Sequence, residues 1–201
     1  MTPTDFAATF HVPRETLERL QAYEALLRKW NPVVNLVSKT TLADVWTRHF
    51  ADSAQLFPLL PPGTQTLTDI GSGAGFPGMV LAILGVPHVN LVESDQTKAT
   101  FLREVARVTG APATVHASRI EAVELPPADV VSARALADLS QLLPWALRLL
   151  KPGGTCIFPK GRSAADELTG VADSWTMRTE AFPSRTDPAG TILRLSDISA
   201  K

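Results

Sequence analysis

Thr68-Asp69-Ile70-Gly71-Ser72-Gly73-Ala74-Gly75-Phe76-Pro77-Gly78 decides how this chain is read: three glycines at alternate positions follow one apolar run and precede another. Leu67 and Ile70 read as a short buried strand, and Pro77, with its fixed φ, suits the first turn of a helix covering Met79 to Leu84. A strand, a glycine turn and a helix start let backbone approach a ligand closely, as nucleotide-type sites require. About twenty residues past the turn, Leu91-Val92-Glu93 closes a second strand and places a carboxylate where such sheets bind a ribose diol.

Outward from this unit the pattern alternates. Strands are expected at 66–70, 89–93 and 113–116, with helices at 77–85 and 95–109 between them. Asp129 to Ser132 reads as a fourth strand, Asp138 to Leu150 as a helix, Lys151-Pro152-Gly153-Gly154 as a turn and Thr155 to Phe158 as a fifth strand. Trp175 to Phe182 and Thr191 to Leu195 read as a closing antiparallel pair, so the sheet is expected to be mostly parallel with an antiparallel edge. Upstream, Leu17, Leu20, Leu26, Leu27 and Trp30 recur at helical spacing, and Asn31-Pro32 is expected to stop that helix. A second helix is expected from about Leu42 to Phe57. The expected organisation is a helical N-terminal extension over 1–62 and a Rossmann-like domain over 63–201.

At 201 residues, one domain with an extension can bury a sizeable core. The single cysteine, Cys156, excludes an internal disulfide and a cysteine metal cluster, and reads as a small buried hydrophobe. No apolar run approaches a membrane span, and no basic cluster opens a secretory signal near Asp5, so a cytoplasmic protein without a membrane partner is expected. Nineteen basic against twenty acidic side chains give a net charge of -1, so any nucleic-acid contact must come from a local patch.

Gly73-Ala74-Gly75-Phe76-Pro77-Gly78 also fits the dinucleotide pattern G-x-G-x-x-G. Counted from Gly71, the first residue after the strand, that pattern would need a glycine where Phe76 stands. A phosphate-binding P-loop is excluded because no Lys-Ser or Lys-Thr follows the glycines. Asp69-x-Gly71-x-Gly73-x-Gly75 with Glu93 resembles the cofactor signature of class I S-adenosylmethionine-dependent methyltransferases. Such a cofactor needs backbone near its methionine and adenosine parts, a carboxylate for the ribose and apolar walls for the adenine. Ile120 and Glu121 follow the third strand, at the sheet edge where the adenine would lie.

Lys29-Trp30-Asn31-Pro32-Val33-Val34-Asn35-Leu36, Arg48-His49-Phe50-Ala51-Asp52-Ser53, the glycine segment, Ser132-Ala133-Arg134-Ala135 and Lys151-Pro152-Gly153-Gly154, in this order, resemble the RsmG (GidB) family over nearly the whole chain. The resemblance implies a class I fold with a seven-stranded sheet. It also implies transfer of a methyl group from S-adenosyl-L-methionine to N7 of a guanine in small-subunit (16S) ribosomal RNA, free or in a ribosomal particle. S-adenosyl-L-homocysteine would be the product, and a monomer is expected. The family's cofactor positions fall on Gly71, Phe76, Ile120, Glu121 and Arg134. Where the family often carries a run of lysines after the second strand, this chain has Ser94-Asp95-Gln96-Thr97-Lys98.

Guanine N7 bears a lone pair and no proton, so no catalytic acid or base is expected, and no metal. Positioning of the reacting atoms should dominate. Arg134 ends the fourth strand, where it could hold the cofactor carboxylate or an RNA phosphate. Arg48, His49 and Asp52 lie at helical spacing and are candidates for one polar cluster at the mouth. Arg48, Lys160 and Arg162 are the candidate RNA contacts, and Trp30 and Trp46 read as packing residues. The rival readings are a methyltransferase acting on a small molecule or protein, an NAD-dependent oxidoreductase using the other glycine register, and a non-catalytic RNA-binding module.

Overall fold

Seven strands form a single sheet in the computed structural model, which describes residues 1–201. The strands are β1 (Thr66–Ile70), β2 (His88–Glu93), β3 (Ala113–Ala117), β4 (Ala128–Ser132), β5 (Leu150–Lys160), β6 (Trp175–Pro183) and β7 (Thr191–Ala200). Their order across the sheet is β3-β2-β1-β4-β5-β7-β6. The first five are parallel, and β7 runs antiparallel to both β5 and β6. The expected closing antiparallel pair is thus formed, with the reversed strand β7 inside the sheet and β6 at its edge. Strand order turns back between β1 and β4, so the loops after these two strands flank the crevice where open α/β sheets bind ligands.

Alternation along each strand divides the apolar side chains between two faces. Leu67, Val89, Leu91, Val130 and Ile157 pack with α5 (Gly78–Leu84), α6 (Gln96–Thr109) and the N-terminal helices on one side. Ile70, Val92, Val131, Cys156 and Phe158 pack with α7 (Leu139–Leu149) and α8 (Ala164–Val171) on the other. The helix α8 was not expected. Cys156 is fully buried, and burial pushes its thiol pKa up. No helix is long and apolar enough to cross a membrane.

The N-terminal region departs most from expectation. A short helix, α1 (Pro3–Phe10), is set by a capping box in which Thr2 Oγ1 accepts the Asp5 N–H at 3.1 Å and Asp5 returns a bond to the Thr2 N–H at 2.9 Å. The following helix, α2 (Arg14–Val34), does not stop at Pro32 but carries it in its last turn, ending where Asn35 takes a left-handed conformation. There the Asn31 side chain clamps Val37, accepting its N–H at 2.8 Å and donating to its carbonyl at 3.0 Å. These two bonds fix the direction of the chain as it leaves the helix.

The expected helix over 42–57 is broken into α3 (Lys39–Ala43), a wide π turn (Trp46–Ala51), α4 (Asp52–Ala54) and a 3₁₀ turn (Phe57–Leu59). Widened turns of this kind re-aim side chains and occur often at functional sites. Here the turn buries Trp46, His49 and Phe50. Trp46 packs on Phe6 and Phe50 and donates Nε1–H to Glu24 at 2.7 Å, while Trp30 packs on Phe101, as expected of packing residues. Lys151–Gly154 bulges out of β5 between the pairings Ala128 with Leu150 and Val130 with Thr155, so the expected turn lies within the strand.

Close packing of α5 on β1 depends on Gly78. A Cβ there would lie 2.6 Å from Asp69 Cβ and 2.5 Å from Leu91 Cδ2, both on strands that cannot yield. The packing glycine therefore stands two residues after Phe76, the position where a count from Gly71 would need it. Gly78→Ala should lower the unfolding free energy by about 1–3 kcal/mol, the usual cost of overpacking, as measured by urea denaturation.

Candidate functional site

The turn after β1 is shaped by its glycines in different ways. Gly71, Gly73 and Gly75 all have positive φ, at 64°, 57° and 98°. A Cβ on Gly75 would run into Tyr23 Oη and into Leu102, so this glycine faces the core and lets α2 approach. Tyr23 there donates its hydroxyl to the Ala74 carbonyl. A Cβ on Gly73, by contrast, would meet nothing nearer than the Gly71 carbonyl at 3.9 Å. Asp69 also lies beneath the turn, fully buried, where Ser132 Oγ donates to its Oδ1 at 2.7 Å and its Oδ2 has no partner. Burial raises its pKa to about 6 against the opposing hydrogen bond from Ser132. Asp69 and Gly75, expected at the cofactor, instead support the turn from behind.

In front of the turn is a cavity of about 500 Å³, lined by Gly71, Gly73, Phe76, Glu93, Ile120 and Glu121 among others. Glu93 is 8% exposed. Its Oε2 accepts the Gly73 N–H at 2.7 Å and its Oε1 the Asp95 N–H at 2.8 Å. Each oxygen keeps a further lone pair, so the carboxylate can accept two hydroxyls while its orientation is fixed by backbone. Ile120 and Glu121 lie in a turn after β3, their carbonyls held by Arg148 at 2.6 and 2.8 Å. Val92, Leu136 and Trp145 supply apolar wall, and Leu36 and Val37 reach it from beyond α2. An adenosine with a free ribose diol and a short amino-acid arm matches this donor set.

A second, polar cavity of about 630 Å³ shares Arg134, Ala135 and Leu136 with the first. Arg134 stands between them. Its guanidinium donates to Asp52 Oδ2 at 3.0 Å, to the Arg48 carbonyl at 3.2 Å and to His49 Nδ1 at 2.9 Å, and lies 5.2 Å from the centre of the Phe76 ring. Phe76 is stacked between Tyr23 and His49, with ring centres 5.3 and 4.8 Å away. Since arginine only donates, His49 Nδ1 must accept and its proton sits on Nε2, which is buried without a partner. Burial, with help from Arg134 and Arg48, lowers the His49 pKa to about 3. A neutral imidazole pinned by an arginine is an orienting element and a poor proton acceptor.

Arg48, His49, Asp52 and Arg134 thus come together, with Arg48 contributing its carbonyl to Arg134 and its exposed side chain to the wall of the polar cavity. Lys160 also lines that cavity, but it is not a free phosphate contact. Its Nζ pairs with Glu167 at 2.7 Å and donates to the Ala137 carbonyl at 2.8 Å. Arg162 is exposed and unpaired beside Gly161 and Ser163 at the cavity rim.

A family model described as rRNA small subunit methyltransferase G (GidB) matches residues 16–187. The chain belongs to this family. It is 74% identical to the ribosomal RNA small subunit methyltransferase G of Rhodospirillum centenum, over 98% of this chain and 92% of that one. It is 55% identical to the Rhodospirillum rubrum protein of the same name, over 98% of both chains. Among solved structures, an O-methyltransferase from Bacillus cereus in complex with SAH superposes over 96% of both chains, with a TM-score of 0.59 at 16% identity. The ribosomal protein L11 methylase of Lactobacillus delbrueckii subsp. bulgaricus covers 74% of this chain and 76% of its own, with a TM-score of 0.58 at 19% identity. These structures share the class I methyltransferase fold.

In this family member, residue-by-residue reading missed Leu36, Val37, Leu136 and Trp145 as cavity walls. The signal for the first two was Asn31, whose side chain fixes Val37. The buried His49 gives a pH test. Its folded pKa lies below its unfolded value, so between about 6.5 and 3 the unfolded chain binds the proton that the native state refuses, and stability falls as pH falls. Asp69, shifted upward, acts in the opposite direction between about 6 and 4. Comparison with His49→Gln cancels the Asp69 effect: from pH 7.5 to pH 5 the parent should lose about 2 kcal/mol more than the variant in urea unfolding.

Proposed function

We propose that the protein transfers a methyl group from S-adenosyl-L-methionine to N7 of a guanine in small-subunit ribosomal RNA. The observation that carries this reading is the pair of cavities meeting at Arg134, Ala135 and Leu136, one suited to an adenosine and the other polar and wide enough for a base. Membership of the rRNA small subunit methyltransferase G family supports it, and leaves the oxidoreductase reading of the glycines without support. We further propose that the segment 1–62 serves the domain 63–201 as cavity wall, and that the protein works as a cytoplasmic monomer.

We assign Glu93 to the ribose diol, Gly71 and Gly73 to close approach of backbone, and Ile120 and Glu121 to the adenine end. Arg134 has guanidinium donors left over from Asp52 and His49 for the cofactor carboxylate. When bound, the cofactor supplies an electrophilic methyl: the N7 lone pair takes the methyl carbon, the carbon–sulfur electron pair stays on sulfur, and no proton moves. The protein's task is to hold nucleophile and methyl in line and exclude water. Phe76, stacked on His49 and beneath Arg134, fixes the partition against which both ligands rest.

The decisive experiment incubates the protein and tritiated S-adenosyl-L-methionine with small subunits lacking endogenous methylation and maps the labelled nucleotide. Label at a guanine N7 is expected; no incorporation into RNA overturns the reading. Gly73→Asn, which tolerates the left-handed backbone, should leave the melting temperature nearly unchanged. It should weaken S-adenosyl-L-methionine binding by about tenfold or more in calorimetry, a loss of about 1.4 kcal/mol. Arg48 and Arg162 are the free cations that we place against phosphates. Replacing each by Ala should reduce the slope of log affinity against log salt by about 0.7, with cofactor affinity unchanged.

A further inference from the structure

Four carboxylates line the polar cavity, and two of them are already paired with cations. Asp52 holds Arg134 with one oxygen and accepts Thr186 Oγ1 at 2.7 Å with the other. Glu167 is paired with Lys160 and also accepts the Leu139 N–H at 3.0 Å and Ser163 Oγ at 2.7 Å. Asp138 is exposed and caps α7 through Gln141. Asp187, like Asp138, has no cation partner and uses only Oδ1, which accepts the Ala189 N–H at 3.0 Å, but unlike Asp138 it is half-buried, so its free oxygen is held inside the cavity rather than in solvent.

Asp187 stands on a built turn between β6 and β7. Ser184 Oγ accepts the Asp187 N–H at 3.3 Å, and the Asp187 carbonyl accepts the Gly190 N–H at 2.9 Å. A Cβ on Gly190 would lie 2.9 Å from Ser184 Cβ, so the turn is closed tightly. The buried Gln55 fastens it to the N-terminal helices by accepting the Arg185 N–H at 2.7 Å. Through Asp52 and Thr186 the same turn is tied to Arg134 on the cofactor side. The free oxygen is therefore carried on a fixed support, in the same cavity as the partition.

We infer that Asp187 reads the target base, its free carboxylate oxygen accepting N1–H and the N2 amine of the guanine whose N7 faces the partition. The inference rests on the guanine-N7 reading above. It fits the chemistry of the transfer as well as base identity. Guanine presents two donors on its Watson–Crick edge where adenine presents a donor and an acceptor, so a carboxylate accepts the first and repels the second. As N7 gains the methyl group the ring becomes cationic and N1–H more acidic, so this bond strengthens along the reaction coordinate. An interaction that strengthens toward the transition state raises the rate as well as the affinity.

The test compares small subunits reconstituted with guanosine or inosine, which lacks the N2 amine, at the mapped nucleotide. Binding is measured with S-adenosyl-L-homocysteine present, and single-turnover methylation with S-adenosyl-L-methionine. The parent should favour guanosine over inosine by about ten- to a hundredfold in rate. Asp187→Asn keeps an oxygen for Ala189 and removes the charge; it should reduce that preference to within about threefold by slowing guanosine methylation. Its cofactor affinity and melting temperature should match the parent's, and Asp138→Asn should keep the full preference. A parent that methylates guanosine while Asp187→Asn retains the same guanosine preference overturns this inference alone. A parent that labels no RNA overturns the reading beneath it.

Discussion

The site depends on how one cation is held between two cavities. Arg134 lies at the end of β4, where a charged guanidinium would otherwise move freely at the mouth of the crevice. Asp52 and His49 hold its donors, and the Phe76 face supports it from below. The arrangement joins three separated parts of the chain: the N-terminal helices supply Asp52 and His49, the glycine turn supplies Phe76, and the arginine follows β4. Because the arrangement is partly buried, the pair is screened less than a surface ion pair would be, and losing one member would leave the other uncompensated.

Much of this was legible because its causes are local. Glycines at 71, 73 and 75 announce a turn without side chains, and Glu93 announces the end of the neighbouring strand. The two-residue alternation of Leu67 with Ile70 and of Val130 with Val131 assigns faces of the sheet. Other features are decided by distant partners. Asp69 and Gly75 share the glycine motif, yet one turns toward Ser132 and the other toward Tyr23, and no spacing rule gives the direction of a side chain within a turn. Lys160 looked like a loop cation because the helix carrying Glu167 was not foreseen. The π turn over Trp46–Ala51 follows from how Trp46, His49 and Phe50 must all be buried at once, a demand of packing that propensity does not express. Pro32 was misread because the helix was judged by a breaker residue, while its true end is set by Asn35 and the Asn31 clamp.

Charge distribution resolves the tension between a net charge of -1 and a polyanionic substrate. Away from the crevice four arginines are matched by carboxylates: Arg14 with Glu18, Arg28 with Glu24, Arg107 with Glu104, Arg194 with Glu180. Around the crevice Arg48, Lys98, Arg119 and Arg162 have no acidic partner, and the first three line its cavities. Near neutrality as a whole is therefore compatible with a local attraction for phosphate, and the segment after β2 does not need the lysine run that it lacks.

The interior position of β7 has a consequence for biogenesis. Sheet order runs β5, β7, β6, so the strand that joins β5 to β6 is made after both of them. During synthesis β5 and β6 emerge with their facing hydrogen-bonding edges open, and unpaired edges invite pairing with other chains. A nascent chain stalled before Thr191 would already carry the glycine turn and Arg134 yet lack the bridging ribbon. Prematurely terminated products of this protein should therefore be poor at reaching the native state and ready clients for chaperones and proteases.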